Sequence, residues 1–422
     1  MADAGLLLPA TLAQHLGLRE LVDGHLDLGD KPGRAHVGDK LLTLVFSALA
    51  GGDCIDDADA LRAGGTERVL GFTVKAASTL GTFLRSFRWG HVRQLDAVSR
   101  HLLARAWAAG AGPGGEPFTI ALDSTICETY GLAKEGATGF TYTKVRGYHP
   151  LLAIAAGTGD VLMARLREGR ANTARGAGHF LRETIGRVRS AGATGPLTVR
   201  ADSGFYAHAV VKVCRTMKVR FSITIRQSSA TRRLIEAIPD DAWTPIPYWL
   251  AGGADVAETT YVPFADQKGA VPVRLIVRRV RPTPGSQLAL LTLYDYHAFI
   301  TDREGETLVL EADHRRHAEI ENAIRDLKYG LGLNHLPSGK FAANGAWLAV
   351  QVIAHNLARW TARLGLGEGI VTTKTLRRRL FSLAGRLTRS ARRLTLHLPA
   401  RWPWAIGWTT ALARLRAIPL VT

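Results

Sequence analysis

Three acidic residues sit where their chemistry demands an explanation: Asp123, Asp202 and Glu321. Asp123 interrupts the apolar, β-branched run at residues 118–126. Asp202 ends a second such run, just before Ser203 and Gly204. A carboxylate within a core strand is destabilising unless it is paired or metal-bound. Strand ends beside turns are also where open α/β sheets place their chemistry. Converging acidic oxygens suit Mg²⁺ or Mn²⁺. Two such ions about 3.5–4 Å apart can activate an attacking oxygen and stabilise the leaving oxygen of a phosphodiester.

Glu321 belongs to a periodic stretch, residues 314–331, expected to be one helix. Ile320, Ile324, Leu327 and Leu331 recur at helical spacing and predict a buried stripe. His314, Glu321 and Lys328 are seven residues apart, so on a regular helix they form one polar ridge. His317 and Arg325 lie one turn from Glu321, and Glu319 points the other way. Such a ridge also describes a solvated face with i,i+4 pairs. The two aspartates upstream favour a site, with Lys328 placed to orient a phosphate backbone beside the metals.

The elements that must position these residues can be read in order. Residues 1–108 are helical, and are taken as a DNA-end-binding domain. Leu41, Leu42, Leu44, Val45, Ala48 and Leu49 are amphipathic and stop at Gly51-Gly52. Asp53, Asp56, Asp57 and Asp59 resemble a metal cluster, but acids are also favoured in a helix's first turn. A Gly/Pro-rich linker leads to residues 118–227, the first part of a core. Its strands are expected at 118–126, 139–146, 149–156, 161–166, 197–203 and 219–226, and its helices at 178–189 and 207–217. The strand and helix order matches a ribonuclease-H-like core. Residues 228–313 read as a mostly β insertion, with strands at 255–264, 271–280 and 288–301. Residues 314–364 complete the core, with Trp347 and Trp360 inside it. In the basic C-terminal region, 365–422, residues 374–393 carry eight basic residues and no acid. Leu376, Leu380, Leu383 and Leu387 predict an amphipathic helix there, displaying Arg377, Arg378 and Arg379 to a phosphate backbone.

Composition limits the partners. The 422 residues are 46% hydrophobic and 21% charged, enough apolar material for a real core. The net charge of +18 points to a polyanion, most simply DNA or RNA. The three cysteines form no CxxC pair, which argues against structural zinc or a disulfide framework and suits a reducing cytoplasm. No secretory signal and no apolar run of about 18 residues is found, so a soluble protein without a membrane partner is expected.

Three segments together carry a family resemblance: Asp123-Ser-Thr, Arg200-Ala-Asp-Ser-Gly-Phe-Tyr206, and Ile320-Glu-Asn-Ala-Ile-Arg-Asp-Leu-Lys328 followed by Gly-Leu-Asn-His-Leu-Pro. From about residue 35 onward the chain resembles bacterial insertion-sequence transposases with an Asp-Asp-Glu triad. Within the group bearing a Tyr-x2-Arg-x3-Glu-x6-Lys signature, it is most similar to the family numbered thirteen-eighty. The resemblance implies Asp123, Asp202 and Glu321 as catalytic metal ligands and Lys328 as the signature lysine. It also implies an α/β, ribonuclease-H-like core interrupted by the β insertion. His314 stands where tyrosine is usual and His317 where arginine is usual, which weakens the expected grip on DNA ends. In relatives an aromatic residue of the insertion stacks on a flipped base. Trp243 is the candidate here, with Tyr248 and Trp249 close by, and ordinary packing is the other reading.

The function expected is Mg²⁺- or Mn²⁺-dependent cleavage of an element's ends and strand transfer into target DNA. A homodimer would synapse the ends in the bacterial cytoplasm, at the nucleoid. No P-loop motif occurs, so no ATP is implied. Two rivals remain open: a metal-dependent nuclease on the same core, and a DNA-binding protein that has lost catalysis.

Overall fold

A computed structural model describes residues 1–131, 133–248, 252–282, 285 and 294–421. Its strands are β1 (Phe118–Ser124), β2 (Cys127–Glu128), β3 (Gly147–Tyr148), β4 (Leu151–Ala155), β5 (Val161–Arg165), β6 (Leu197–Ala201), β7 (Arg220–Thr224), β8 (Thr244–Ile246), β9 (Ala254–Tyr261), β10 (Val273–Val280) and β11 (Asp295–Thr301). Nine of them form one mixed sheet in the order β5-β4-β1-β6-β7-β11-β10-β9-β8, while β2 and β3 pair separately. The three central strands β1, β6 and β7 run parallel. Their sequences alternate, with Phe118, Ile120, Leu122, Leu197, Val199, Ala201, Phe221 and Ile223 on one apolar face and Thr198, Arg200 and Ser222 on the other. Ile120, Leu122, Val199 and Phe221 are wholly buried.

The insertion is not a separate β layer. Strand β11 pairs antiparallel with β7, matching Phe299 to Thr224 and Ile300 to Ile223, so β8–β11 extend the central sheet. Ser228 caps a helix in this region that periodicity had not revealed, Ser229–Glu236, through its Oγ and the Thr231 amide. The strand expected at 288–301 is seen from Asp295, and residues 288–293 lie outside the described residues. Nor do residues 139–146 form a strand. They double back, with Lys144 in the left-handed region (φ 63°) and a single bridge between Phe140 and Arg146.

The helices that matter here are α1 (Leu7–His15), α2 (Leu18–His25), α3 (Val37–Ala50), α4 (Ala77–Arg85), α5 (Trp89–Ala106), α6 (Ala177–Ser190), α7 (His208–Thr216), α8 (Ser229–Glu236), α9 (Thr307–Arg315), α10 (Ile320–Arg325), α11 (Phe341–Trp360) and α12 (Ala405–Ala417). Helix α3 stops at Gly51, whose φ of 110° a side chain would strain. It packs on α11, which is enclosed nearly all round and buries the polar Asn344, Gln351, His355, Asn356 and Arg359 along with its apolar residues. Trp347 and Trp360 are both buried in it. One apolar core runs from the first helices through the sheet to α12. Among the described residues no helix is long and apolar enough to cross a membrane.

Two helical expectations need correction. The run bearing Glu321 starts at Thr307, passes through a 3-10 turn at Arg316–Glu319, continues as α10 and ends in a π turn at Asp326–Gly330. Its first turn was hidden because Leu308 and Val309 face solvent. In the basic region, helical structure ends at Phe381. Beyond Gly385 the chain forms a hairpin, β12 (Arg386–Ser390) with β13 (Arg393–His397). Leu376, Leu380 and Leu383 are buried as the spacing predicted, but Leu387 lies on a strand.

Candidate active site

The sheet register sets the first two carboxylates side by side. Leu122 is matched to Ala201 across the parallel pair β1–β6, so Asp123 in β1 and Asp202, one residue past the end of β6, come next on adjacent chain segments. Alternation puts Arg200 on the same face of β6 as Asp202. Asp123 Oδ1 accepts the Ser124 amide at 2.6 Å. Asp202 Oδ1 accepts the Gly204 amide at 3.0 Å and caps the short turn Ser203–Phe205. A Cβ on Gly204 would meet Thr173 Cγ2 at 2.9 Å, so this turn needs glycine to sit against the 168–175 loop.

Charge crowding marks Asp123 as the central acid. Burial pushes its carboxyl up to about 7, and the charges of both Asp202 and Glu321 add to the effect. Burial also raises Asp202, opposed by the Gly204 and Phe205 amides and by the Arg226 guanidinium. The carboxylates do not converge on a single point. Among the described residues, the one set of three ligand atoms within 4.8 Å of one another belongs to Asp53, Cys54 and Asp57. There Asp57 Oδ2 accepts the Asp53 and Cys54 amides, which precede it in the chain, so it closes the turn after α3 and caps no helix.

Behind Asp123 lies a polar support that sequence reading missed. His149 is fully buried, its Nδ1 donates to the Ala171 carbonyl at 2.8 Å, and its Nε2 lies 2.8 Å from Ser124 Oγ. Burial holds this imidazole below its ordinary value, so Nε2 accepts from the hydroxyl. Arg167 donates to the carbonyls of His149, Asn172, Thr173 and Arg175, fastening the loop behind both aspartates.

The Glu321 helix is tied to the aspartate strands by a partly buried ion cluster. Arg200, only 2% exposed, donates to Asp313 Oδ1 at 2.7 Å, and Arg303 donates to Asp313 Oδ2 at 2.5 Å. Ile320, Ile324, Leu327 and Leu331 are buried as the spacing required. Glu321 is exposed, and among the described residues nothing bonds its carboxylate. Lys328 is half-buried and its charge reaches Cys127 in β2, four residues beyond Asp123. Arg325 is exposed, and Glu319 is taken by Arg316 at 2.9 Å.

A family model described as "Transposase DDE domain group 1" matches residues 1–420. The chain belongs to this family. It is therefore a DDE transposase, an enzyme that cuts and joins DNA with divalent metal ions. No curated protein matches the chain. Among solved structures, a piggyBac transposase synaptic complex with hairpin DNA is similar at a TM-score of 0.49 and 12% identity, over 90% of this chain and 79% of that one.

Several expected DNA contacts of the transposase look different in place. His314 has both nitrogens occupied, by Ser222 Oγ at 2.7 Å and Thr224 Oγ1 at 2.9 Å, and its ring stacks on Phe299 at 4.0 Å. It docks the helix onto β7, and a phosphate grip does not fit that geometry. Burial and the nearby Arg200 charge hold His317 down at about 4, so it is neutral at pH 6 and above. The overwound turn Arg316–Glu319 contains His317 and lies between His314 and Glu321, and the π turn Asp326–Gly330 holds Lys328, so the regular seven-residue ridge does not hold.

Trp243 is half-buried, with the Arg279 guanidinium over its ring at 4.4 Å and Tyr296 at 6.2 Å. This cluster lies beyond the carboxyl end of β7, the same sheet edge as the aspartates. Tyr248 is half-buried with the Arg278 and Arg315 guanidinia against its ring, and Trp249 lies outside the described residues. Arg377 donates to the carbonyls of Leu49, Ala48 and Gly330, a clamp between α3 and the end of the Glu321 helix. Arg379 stacks over Trp404 at 5.8 Å, and Arg378 is exposed. Of the three arginines, then, Arg378 is the one turned to solvent.

Proposed function

We propose that Asp123, Asp202 and Glu321 are the catalytic triad of an insertion-sequence transposase, holding two Mg²⁺ or Mn²⁺ ions around Asp123. The observation that carries this reading is the β1–β6 register, which sets Asp123 beside Asp202, with the Glu321 charge acting on Asp123. Asp123, pushed up to about 7 chiefly by burial and further by the charges of Asp202 and Glu321, is a donor that a bound cation relieves. Donors spread beyond one ion's reach suit a pair of ions about 3.5–4 Å apart. When bound, such a pair would supply an activated attacking oxygen and charge neutralisation at the leaving one.

The chain's own groups do the positioning. Ser124 and His149 hold the strand end bearing Asp123, and the Arg200–Asp313 pair holds the Glu321 helix against the aspartates. Lys328 and Arg325 flank Glu321 and receive the phosphate backbone. We read β5-β4-β1-β6-β7 as a ribonuclease-H-like core, residues 1–108 as the end-binding part, and two chains as the unit that synapses the ends. Transesterification conserves phosphodiester bonds, so no ATP enters. The three sequence segments support membership of the insertion-sequence family numbered thirteen-eighty.

The test supplies Mg²⁺, linear DNA carrying the sequences that flank this reading frame, and a plasmid target. Cleaved ends joined to the plasmid are the expected products. Cleavage without joining would make the protein a nuclease, and binding without cleavage would make it a DNA-binding protein.

A further inference from the structure

Between β2 and β3 the chain makes an excursion whose aromatic side chains face outward. Tyr130, Phe140 and Tyr142 are 86%, 62% and 71% exposed. Large rings so exposed contribute nothing to the core, and three of them within thirteen residues call for a partner. The described residues of the excursion, all but residue 132, are firmly built. The Thr129 amide bonds the Arg146 carbonyl at 3.0 Å, and the Thr141 amide bonds that of Val145 at 2.8 Å. Tyr148 Oη donates to the Glu135 carbonyl at 2.8 Å, and Lys134 Nζ to that of Leu336 at 2.6 Å.

Its position relates it to the carboxylates. The Tyr142 ring lies 5.5 Å from that of His149, which holds Ser124 beside Asp123. The charges of Asp123 and Asp202 both act on the Tyr142 phenol. Two cations lie among the rings: the Arg146 guanidinium sits over the Phe140 ring at 5.4 Å and Lys144 is exposed, while Arg170 beside Gly139 is paired with Glu168 at 3.3 Å. Rings interleaved with cations beside a phosphodiester-cutting centre match unpaired nucleic acid, whose bases stack and whose phosphates attract the cations. Asp123 and Asp202 are recessed, so an intact duplex meets them only if the strand at the reacting phosphate separates from its complement.

We propose that the 129–146 excursion is a stacking platform for unpaired bases of the DNA strand being cut, with Tyr142 taking the base beside the reacting phosphate. It is distinct from the Trp243 cluster of the insertion, and it deepens the transposase reading on which it rests. Stacking needs the ring and not the hydroxyl, so Tyr142→Phe is conservative and Tyr142→Ala is not.

The test is binding in EDTA, where no cutting occurs, to two mixed-sequence DNAs of equal length. One is fully paired; the other has a splayed end with 2-aminopurine in its unpaired 3′ arm. Wild type and Tyr142→Phe should quench the 2-aminopurine. Tyr142→Ala should lose most of the quenching and bind the splayed DNA about tenfold more weakly, with binding to the paired DNA unchanged. The proposal is overturned if Tyr142→Ala quenches like wild type, if it weakens both DNAs equally, or if Tyr142→Phe fails as badly as alanine. It is also overturned if Tyr142→Ala changes only self-association, which would make the surface a protein contact. Wild-type protein that binds neither DNA would sink the transposase reading as well, so the two failures are distinguishable.

Discussion

The strands that carry Asp123 and Asp202 and the helical run that carries Glu321 are positioned by different physics. On the strands, direction follows from alternation and register, which the buried sheet enforces. A slip of one residue would turn both acids to the other face and unpack the core. On the helical run, direction depends on how tightly each turn is wound and on what ties the helix down. That run is overwound before Glu321 and underwound after it. Its angle to the sheet is held by Arg200, Asp313, Arg303 and the docked His314. The strand half of the site is thus fixed by the fold, while the helix half is fixed by specific polar contacts.

Removing the acids themselves has the largest expected effect. Alanine at Asp123, Asp202 or Glu321 should each cut cleavage by about a thousandfold, the several kcal/mol that metal ions contribute. Gel-shift binding to DNA ends should stay largely in place. Glu319→Ala, on the same helix but paired to Arg316, should be close to neutral.

Cutting the tie between the halves comes next. Arg200→Ala leaves the partly buried Asp313 with Arg303 alone, and should cost about 2 kcal/mol in urea unfolding. The folded remainder should need more Mg²⁺ for half-maximal cleavage, because Glu321 is no longer held. Arg200→Lys should recover part of the stability but less of the metal response, since it lacks the guanidinium fork. A loss of stability with an unchanged metal requirement would mean that the cluster serves folding alone.

The strand half carries its own strain. Asp123 is held above the ordinary carboxylate value, at about 7, so the folded protein keeps a proton that the unfolded chain releases. Metal-free stability should therefore fall as pH rises from about 4 to about 7. Asp123→Asn cannot ionise, so at pH 8 it should melt a few degrees higher than wild type while failing to cleave. Equal melting temperatures at pH 8 would show that Asp123 bears no such cost.

The smallest contrast lies in the basic triplet. Arg378→Ala should lower the slope of log affinity against log salt by about 0.9, one phosphate contact, with stability unchanged. Arg377→Ala should destabilise, since it removes a three-carbonyl clamp, and an unfolding titration separates the two effects.

The parts legible in the sequence were those with a strong local period. The strand-borne aspartates, the Ile320–Leu331 stripe and the enclosed α11 all announce themselves by alternation or helical spacing. What stayed hidden depends on contacts between distant segments. Nothing near His314 in the chain indicates that Ser222 and Thr224 will take both its nitrogens. The Arg200–Asp313 pair spans 113 positions, although strand alternation does place Arg200 on the Asp202 face. The basic C-terminal helix is shorter than its leucines suggest because Leu387 continues a helical period that the chain has already left at Ser382.

Mn²⁺ binding in the presence of a DNA end, followed by the ion's electron paramagnetic resonance, tests the central claim most directly. Asp123 is the acid on which both other charges act, so it should be shared between two ions. Wild type should bind two Mn²⁺ per chain, Asp202→Ala and Glu321→Ala one each, and Asp123→Ala none tightly. Two ions persisting in Asp123→Ala, or a single ion in wild type, would contradict a two-metal site built around Asp123.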